Sequence, residues 1–196
     1  NTATGVAVEA LRQRFQLPIV AIEPAIKPAA VATRSGVVGV LATSATLASA
    51  KFASLLERHG TSVRIVAQAC PGLVEQVELG DLTGPDTRRL VERYVRPLIA
   101  EGADTLVVGC THYSFLVPLI QATAGTDVTV IDPAAAVARE LRRRLDTAGL
   151  LSSPDQTATE VFWSSGALDR ATRVLGELWA AGVTVRALPA EFRAAP

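Results

Sequence analysis

The chain has 196 residues, of which 49% are hydrophobic and 19% are charged, and its formal net charge is zero. This much apolar surface offsets chain entropy and excludes intrinsic disorder, and a neutral chain has no overall field to attract nucleic acid or an anionic membrane surface. No apolar run reaches the roughly 18 residues of a membrane span, and the first residues lack the basic start and apolar stretch of a signal peptide. The two cysteines are too few for a disulfide scaffold and suit a reducing compartment, so we expect a cytoplasmic protein.

The first half of the chain alternates short apolar runs with helical patterns. In chain order it predicts a helix over 4–15, a strand over 19–22, a break at the two prolines of 23–30, a strand over 37–42, a helix over 46–58 and a strand over 62–67. Gly60 is the expected carboxyl-terminal cap of the 46–58 helix.

The second half continues the alternation. It predicts a short helix through Glu78, a helix over 86–100, a strand over 105–108, a helix over 115–122, a strand over 128–131, a helix over 133–146 capped by Asp132, a strand over 160–163, a helix over 168–180 and a strand over 184–188. About seven strands with helices between most of them predict an α/β fold with mainly parallel sheets. The proline-rich 23–30 stretch is the best candidate linker, and a second crossing is expected near Asp132.

Small and polar residues follow three of the predicted strands. They form the segments Thr43-Ser44-Ala45-Thr46, Cys70-Pro71-Gly72 and Gly109-Cys110-Thr111-His112. Ligands of open parallel sheets bind outside the carboxyl ends of the strands, so these segments are the candidate site.

Cys110 is the strongest single candidate. A thiol at a strand end and just before a helix faces backbone N–H groups that favour the thiolate. His112 is placed to orient that thiol or balance its charge, and Thr111 offers a hydroxyl to a carboxylate or oxyanion. The alternative is that Cys110 is one more small buried apolar residue, since free cysteine is often buried.

The other candidates are more ambiguous. Cys70 has no base near it in sequence, so we predict a structural role for it. One of Thr43 and Thr46 should cap the helix that follows, whereas an anion site would explain both. Glu78 alone is most simply a solvated acid.

Several kinds of site lack support in the sequence. The only lysines, Lys27 and Lys51, lie outside any glycine-rich loop, so neither a pyridoxal site nor a phosphate-binding loop is indicated. Two cysteines and two histidines at these spacings do not match a zinc site, and no Cys-x-x-Cys pair indicates a redox protein. We therefore expect no metal and no cofactor.

Four segments taken together resemble the glutamate racemase family of the Asp/Glu racemase superfamily. They are EPAIKPA (23–29), GVLATSAT (39–46), ACPGLVEQVELG (69–80) and VGCTHYSFL (108–116). The pairing of EPAIKPA with GCTHY is specific, and Ser114 stands where the family usually has proline. The resemblance runs from Asn1 to about Pro133.

The resemblance implies a cofactor-independent enzyme of cell-wall synthesis that interconverts L- and D-glutamate by proton transfer between two thiols and supplies D-glutamate for peptidoglycan. By residue matching, Cys110 is the thiol that acts on L-glutamate, His112 assists it and Glu78 orients His112. The substrate-binding residues implied by the same matching are Asn1, Thr2, Thr43, Thr46 and Thr111.

The resemblance also implies two three-layer α/β subdomains, the first truncated and interrupted by the second. Residues 1–24 and 133–196 then form the incomplete first domain and residues 25–132 the intact second one. The family's other catalytic cysteine immediately precedes the position of Asn1, and the sequence contains no methionine, so we expect a chain cut from a longer product. We accordingly expect impaired activity.

Two other functions stay open from the sequence. One is a related racemase acting on aspartate or hydantoins. The other is a non-catalytic α/β fragment that binds an amino acid or a partner. Because missing strands leave exposed edges and apolar faces, we also expect the chain to form a homodimer or an aggregate.

Overall fold

A computed structural model of the chain describes residues 2–59, 62–153 and 155–192, with side chains from residue 7 onward. The chain divides into two compact units, Asn1–Val77 with Asp81–Leu151, and Glu78–Gly80 with Ser152–Pro196. The division at 24/25 and 132/133 expected from the sequence stays a prediction. No helix within the described ranges is long and apolar enough to cross a membrane.

A four-stranded parallel sheet organises the larger unit. Its strands are β1 (Val37–Ala42), β2 (Arg64–Ala69), β3 (Thr105–Val108) and β4 (Thr129–Ile131), in the order β2-β1-β3-β4. β1 and β3 lie inside the sheet and are almost entirely buried, which explains why they read as continuous apolar runs. The α/β class with parallel strands that the sequence predicts is confirmed.

Helices connect these strands and cover the sheet. In chain order they are α1 (Thr2–Arg14), α2 (Ile26–Ala32), α3 (Ser44–Leu47), α4 (Ala50–His59), α5 (Leu73–Leu79), α6 (Pro85–Ala100), a 3₁₀-helix (Thr111–Leu116), α7 (Val117–Ala124) and α8 (Ala134–Thr147). One part of the core joins Ile26 of α2 and Phe52 of α4 to Val38, Val40 and Val107 of the sheet. Burial of these side chains holds β1 and β3 against α2 and α4, so the loops after the two strands start from a packed layer.

The structure corrects three sequence predictions in this unit. The predicted strand at 19–22 is irregular, because an extended segment becomes a strand only when a neighbour supplies ladder hydrogen bonds, and neither described sheet includes it. The 23–30 stretch includes the start of α2, since Pro28 lies in the first turn of this helix, where a missing N–H costs nothing. The 46–58 helix is two helices, because the hydroxyl of Ser49 accepts a hydrogen bond from Phe52 N (3.1 Å) and starts α4 anew.

The smaller unit has a parallel pair of strands, β5 (Phe162–Ser164) and β6 (Val185–Ala187). They are joined by α9 (Leu168–Leu178), and a 3₁₀-helix over Ala190–Phe192 follows. The rings of Phe162 and Trp179 pack edge to face at 6.0 Å. Only three residues of each strand are paired, so both strands are shorter than the predicted 160–163 and 184–188 patterns.

Candidate active site

The loops after β1, β2 and β3 meet at one edge of the four-stranded sheet. Ala42 pairs with Ala69 and Leu41 pairs with Val108, so the segments that start at Thr43, Cys70 and Gly109 leave the sheet side by side. The chain runs outward from β1 to β2 and then returns to β3 on the other side of β1. Such a reversal opens a crevice between the two strands beside it, and this crevice is the usual ligand site of an open α/β sheet. It lies between the ends of β1 and β3.

Gly109 lets the loop after β3 run against the end of β1. Its N–H donates to Leu41 O at 2.8 Å, and a Cβ at this position would lie 2.9 Å from the same oxygen and 3.0 Å from the Cβ of Ala42. Gly109 is not among the glycines with positive φ, so close approach, and not a left-handed backbone, requires the missing side chain. This contact fixes the starting point of Cys110.

Cys110 caps the 3₁₀-helix and is 9% exposed. Its Sγ lies 3.9 Å from His112 Nδ1. Burial alone would raise the pKa of the Cys110 thiol, but hydrogen bonds from the ring and backbone N–H of His112, the charge of His112 and the N–H of Tyr113 outweigh it and lower the pKa below 9.0. The loop therefore favours the thiolate, as the sequence position indicates.

Cys70 has the opposite chemistry. It is 1% exposed, and its Sγ donates a weak hydrogen bond to Gln68 O at 3.3 Å. Burial raises the pKa of this thiol to about 12, although the hydrogen bond with the backbone of Ala42 acts in the other direction. Both cysteines are free thiols. Cys70 is a neutral packed side chain, in line with the structural role predicted for it.

The two threonines after β1 interact with each other. Thr43 is the N-cap of α3, and its Oγ1 accepts a hydrogen bond from Thr46 N at 3.2 Å. The Thr43 hydroxyl also donates to Thr46 Oγ1 at 3.0 Å, and Thr46 is 4% exposed. Thr43 thus caps α3, as the capping interpretation of the sequence predicts. Its hydrogen bonds with Thr46 hold the two threonines together at the end of β1.

The remaining predicted site residues are placed as follows. Thr111 is exposed at the first position of the 3₁₀-helix, next to Cys110. Glu78 is exposed in the last turn of α5, and its carbonyl accepts a hydrogen bond from Arg170 Nη2 at 3.3 Å. Asn1 and the side chain of Thr2 lie outside the described residues. The roles of all of them stay predictions.

The EPAIKPA segment borders the same region through Glu23. Its carboxylate pairs with Lys51 Nζ at 3.0 Å, and both line a cavity of about 20 Å³ that also contacts Thr46. Ile26 and Ala29 of the segment are fully buried. The segment therefore packs against α4, and its Glu23 lines the same cavity as Thr46.

Sequence reasoning overlooked the two tyrosines near this edge. Tyr113 is fully buried and its hydroxyl donates to Cys70 O at 3.1 Å, while Tyr94 donates to Pro71 O at 2.8 Å. The only available signal was the position of Tyr113 inside the GCTHY segment. Among the residues that the structure describes, no group of three or more His, Cys, Asp and Glu side chains could hold a metal ion.

Comparison with known proteins decides the family. The Asp/Glu/hydantoin racemase profile matches residues 1–141, which is more than half of the chain. The chain belongs to the Asp/Glu/hydantoin racemase family.

Several relatives about half identical to this chain are glutamate racemases. The glutamate racemase of Methylococcus capsulatus is 52% identical over 194 residues, which are 99% of this chain and 72% of the relative. That of Pseudomonas aeruginosa is 52% identical over 180 residues, which are 91% of this chain and 68% of the relative. The family assignment made from the four sequence segments is confirmed.

Solved glutamate racemases share the fold. A Bacillus anthracis glutamate racemase superposes with a TM-score of 0.82 at 28% identity, covering 98% of this chain and 72% of that one. The Escherichia coli glutamate racemase, solved in complex with L-glutamate and an activator, gives 0.78 at 27% identity, covering 93% of this chain and 69% of that one. These similarities place the parallel sheet of this chain in the racemase fold.

Proposed function

We propose that Cys110 is the base that removes the α-proton of L-glutamate. In this step the thiolate takes the proton and becomes a thiol, while the electron pair of the broken C–H bond stays on the α-carbon. Return of a proton from Cys110 restores L-glutamate, whereas a proton from a second acid on the opposite face gives D-glutamate. No oxidant, metal or cofactor takes part in this balance.

The observation that carries the proposal is the environment of Cys110. An amino-acid α-proton is far less acidic than any side chain, so the site needs a base that is ionised and poorly solvated. Cys110 is suited to this task, because its pKa is lowered next to His112, which increases the thiolate fraction, and because its side chain is largely buried. Binding of L-glutamate by the Escherichia coli relative favours glutamate as the substrate.

The carbanion must be stabilised through the substrate carboxylate. Thr43 and Thr46 supply hydroxyls at the end of β1, across the crevice from Cys110. We assign them to the α-carboxylate, with Thr111, Asn1 and Thr2 as further substrate ligands and Glu78 as the group that orients His112.

Inversion needs a second base, and Cys70 is not suited to that role. The chain holds two cysteines, and Cys70 is buried with a pKa of about 12, so it stays neutral at physiological pH. We propose that this chain exchanges the α-proton of L-glutamate with solvent without racemising it. With a second thiol on the opposite face, the same site would form D-glutamate for peptidoglycan.

Proton exchange in heavy water, followed by NMR, tests this proposal. We expect the chain to replace the α-proton of L-glutamate by deuterium and to leave D-glutamate unchanged. Cys110→Ala should abolish the exchange, and Cys70→Ala is the matched control that should retain it. Exchange that survives in Cys110→Ala would contradict the assignment, and formation of D-glutamate would contradict the proposed block in inversion.

The same assay separates glutamate from the other substrates of the family. L-Aspartate and a hydantoin, tested beside L-glutamate, should exchange at least tenfold more slowly. Faster exchange of either one would move the assignment to that substrate class and leave the role of Cys110 in place.

A further inference from the structure

Both tyrosines of the chain hold the same turn. Tyr113 donates its hydroxyl to Cys70 O at 3.1 Å, and Tyr94 donates its hydroxyl to the next carbonyl, that of Pro71, at 2.8 Å. Tyr113 is fully buried and Tyr94 is 5% exposed. Two buried hydroxyls thus donate to consecutive carbonyls of this turn and satisfy both.

The two tyrosines reach the turn from different places. Tyr94 lies in α6, whereas Tyr113 lies in the 3₁₀-helix three residues after Cys110. β2 and β3 are not neighbours in the sheet, because β1 lies between them. The side chain of Tyr113 therefore spans the end of β1 and joins the loop after β3 to the loop after β2.

This hydrogen bond closes a ring of contacts around the end of β1. Gly109 N donates to Leu41 O at 2.8 Å, and Cys70 N donates to Ala42 O at 3.0 Å, so β1 already holds both neighbouring loops. Tyr113 ties these loops to each other, and its own N–H donates to Cys110 O at 3.1 Å. Residues 110–113 are thus held at their start by β1 and at their end by the turn after β2.

We propose that Tyr113 is a positioning residue for Cys110: its hydrogen bond to Cys70 O holds the 3₁₀-helix so that the N–H groups of His112 and Tyr113 face the Cys110 sulfur. The importance of this positioning for catalysis rests on the proposed function, in which Cys110 is the base. The effect of Tyr113 on the Cys110 thiol does not depend on the proposed function. Tyr113 acts through this hydrogen bond and does not exchange protons with substrate, because its hydroxyl is buried and burial, with the nearby Cys70 and Cys110, raises its pKa above the usual range.

The test compares Tyr113→Phe with the matched control Tyr94→Phe. Each variant removes one buried hydroxyl that donates to a carbonyl of the same turn, so both should lower stability towards urea to a similar extent. The readout is the pH profile of Cys110 alkylation by iodoacetamide, measured on the Cys110 peptide by mass spectrometry. In Tyr113→Phe we expect the profile to move up by about one pH unit, which lowers the rate at pH 7 about tenfold. In Tyr94→Phe the alkylation rate of Cys110 at pH 7 should stay within twofold of the rate in the unchanged protein.

An unchanged profile in Tyr113→Phe, or an equal displacement in both variants, overturns the proposal. If Tyr113→Phe does not fold, NMR of the unmodified chain with labelled tyrosine decides instead. The Tyr113 ring resonances should then titrate together with Cys110, and their failure to do so overturns the proposal equally.

Exchange of L-glutamate, measured on the same samples, separates the two proposals. A displaced alkylation profile in a protein that exchanges no glutamate supports the positioning role and contradicts the proposed function. Exchange in the unchanged chain that falls about tenfold in Tyr113→Phe supports both.

Discussion

Gly109→Ala should disturb the candidate site, because it adds a methyl group where the loop after β3 runs against the end of β1. The new Cβ would lie 2.9 Å from Leu41 O and 3.0 Å from the Cβ of Ala42. Ordinary contact begins at 3.4 Å, so the loop must retreat from β1 by about 0.5 Å, and the 2.8 Å hydrogen bond from Gly109 N to Leu41 O must lengthen. Overpacking of this kind costs about 1–3 kcal/mol in the free energy of unfolding.

Because Tyr113 is tied to Cys70 O at the other end of the segment, the same movement shifts Cys110 relative to His112 and Tyr113, whose N–H groups lower its pKa. We expect a rise of about half a pH unit in the alkylation profile of Cys110, which is about a threefold lower rate at pH 7. Urea unfolding measures the stability, and alkylation of the Cys110 peptide measures the thiol.

Gly39→Ala is the control for this experiment. Its Cβ would lie 2.6 Å from Leu106 Cδ2 and 2.9 Å from Leu98 Cδ1, in the middle of β1 and away from the loops. It should destabilise the protein and leave the alkylation profile unchanged. Unchanged stability and alkylation in Gly109→Ala would refute this role of Gly109. So would a displacement of the alkylation profile in Gly39→Ala equal to that in Gly109→Ala.

Three further predictions concern the rest of the chain. Burial by itself raises the pKa of Asp104, but hydrogen bonds from Thr33 Oγ1 (2.5 Å) and from the N–H groups of Ser35 and Arg34 (2.7 Å each) bring it well below the ordinary 3.8. The Asp104 carboxylate therefore stabilises the protein above pH 4, and this stabilisation is lost as the pH falls. Asp104→Asn should lower the free energy of unfolding in urea by about 2 kcal/mol at pH 7 and by progressively less in acid. An equal loss at all pH values would contradict this. With a thiol reagent at neutral pH, Cys110 should react in the native protein and Cys70 only after unfolding, and equal rates would contradict the contrast in burial and pKa. Light scattering over a concentration series should show a dimer, because several large apolar side chains are exposed, and a monomer mass throughout would exclude it; among these side chains are Leu17, Val31, Trp163, Trp179 and Phe192.

The sequence predicted elements whose own residues determine them. β1 and β3 are continuous apolar runs because both faces are buried, and the helix that begins at Ala134 follows Asp132, whose Oδ1 accepts from Ala134 N at 2.9 Å. The segment at 19–22 has a similar apolar run, yet whether it pairs depends on a neighbouring strand. No local pattern contains that information.

The candidate site divides in the same way. The rule that ligands bind beyond the ends of parallel strands placed Thr43, Cys110 and His112 at one edge, and the strand order puts the first of them across the crevice from the other two. The sequence did not predict a role for Tyr113, because its hydrogen-bond partner, Cys70, is 43 residues away in sequence. Only the order β2-β1-β3 brings the two together, and the sequence pattern does not state which strand lies in the middle.

The thiol and the hydroxyls proposed to bind the carboxylate all come from one side of a single sheet within one compact unit. A protein engineer can therefore treat proton removal and stereochemical outcome as separate design problems. If Cys110 exchanges the α-proton as proposed, keeping the loops after β1 and β3 while varying what faces them should give catalysts that label amino acids with deuterium and retain their handedness. The same scaffold, offered a different acid on the far face, becomes a starting point for choosing which mirror image is made.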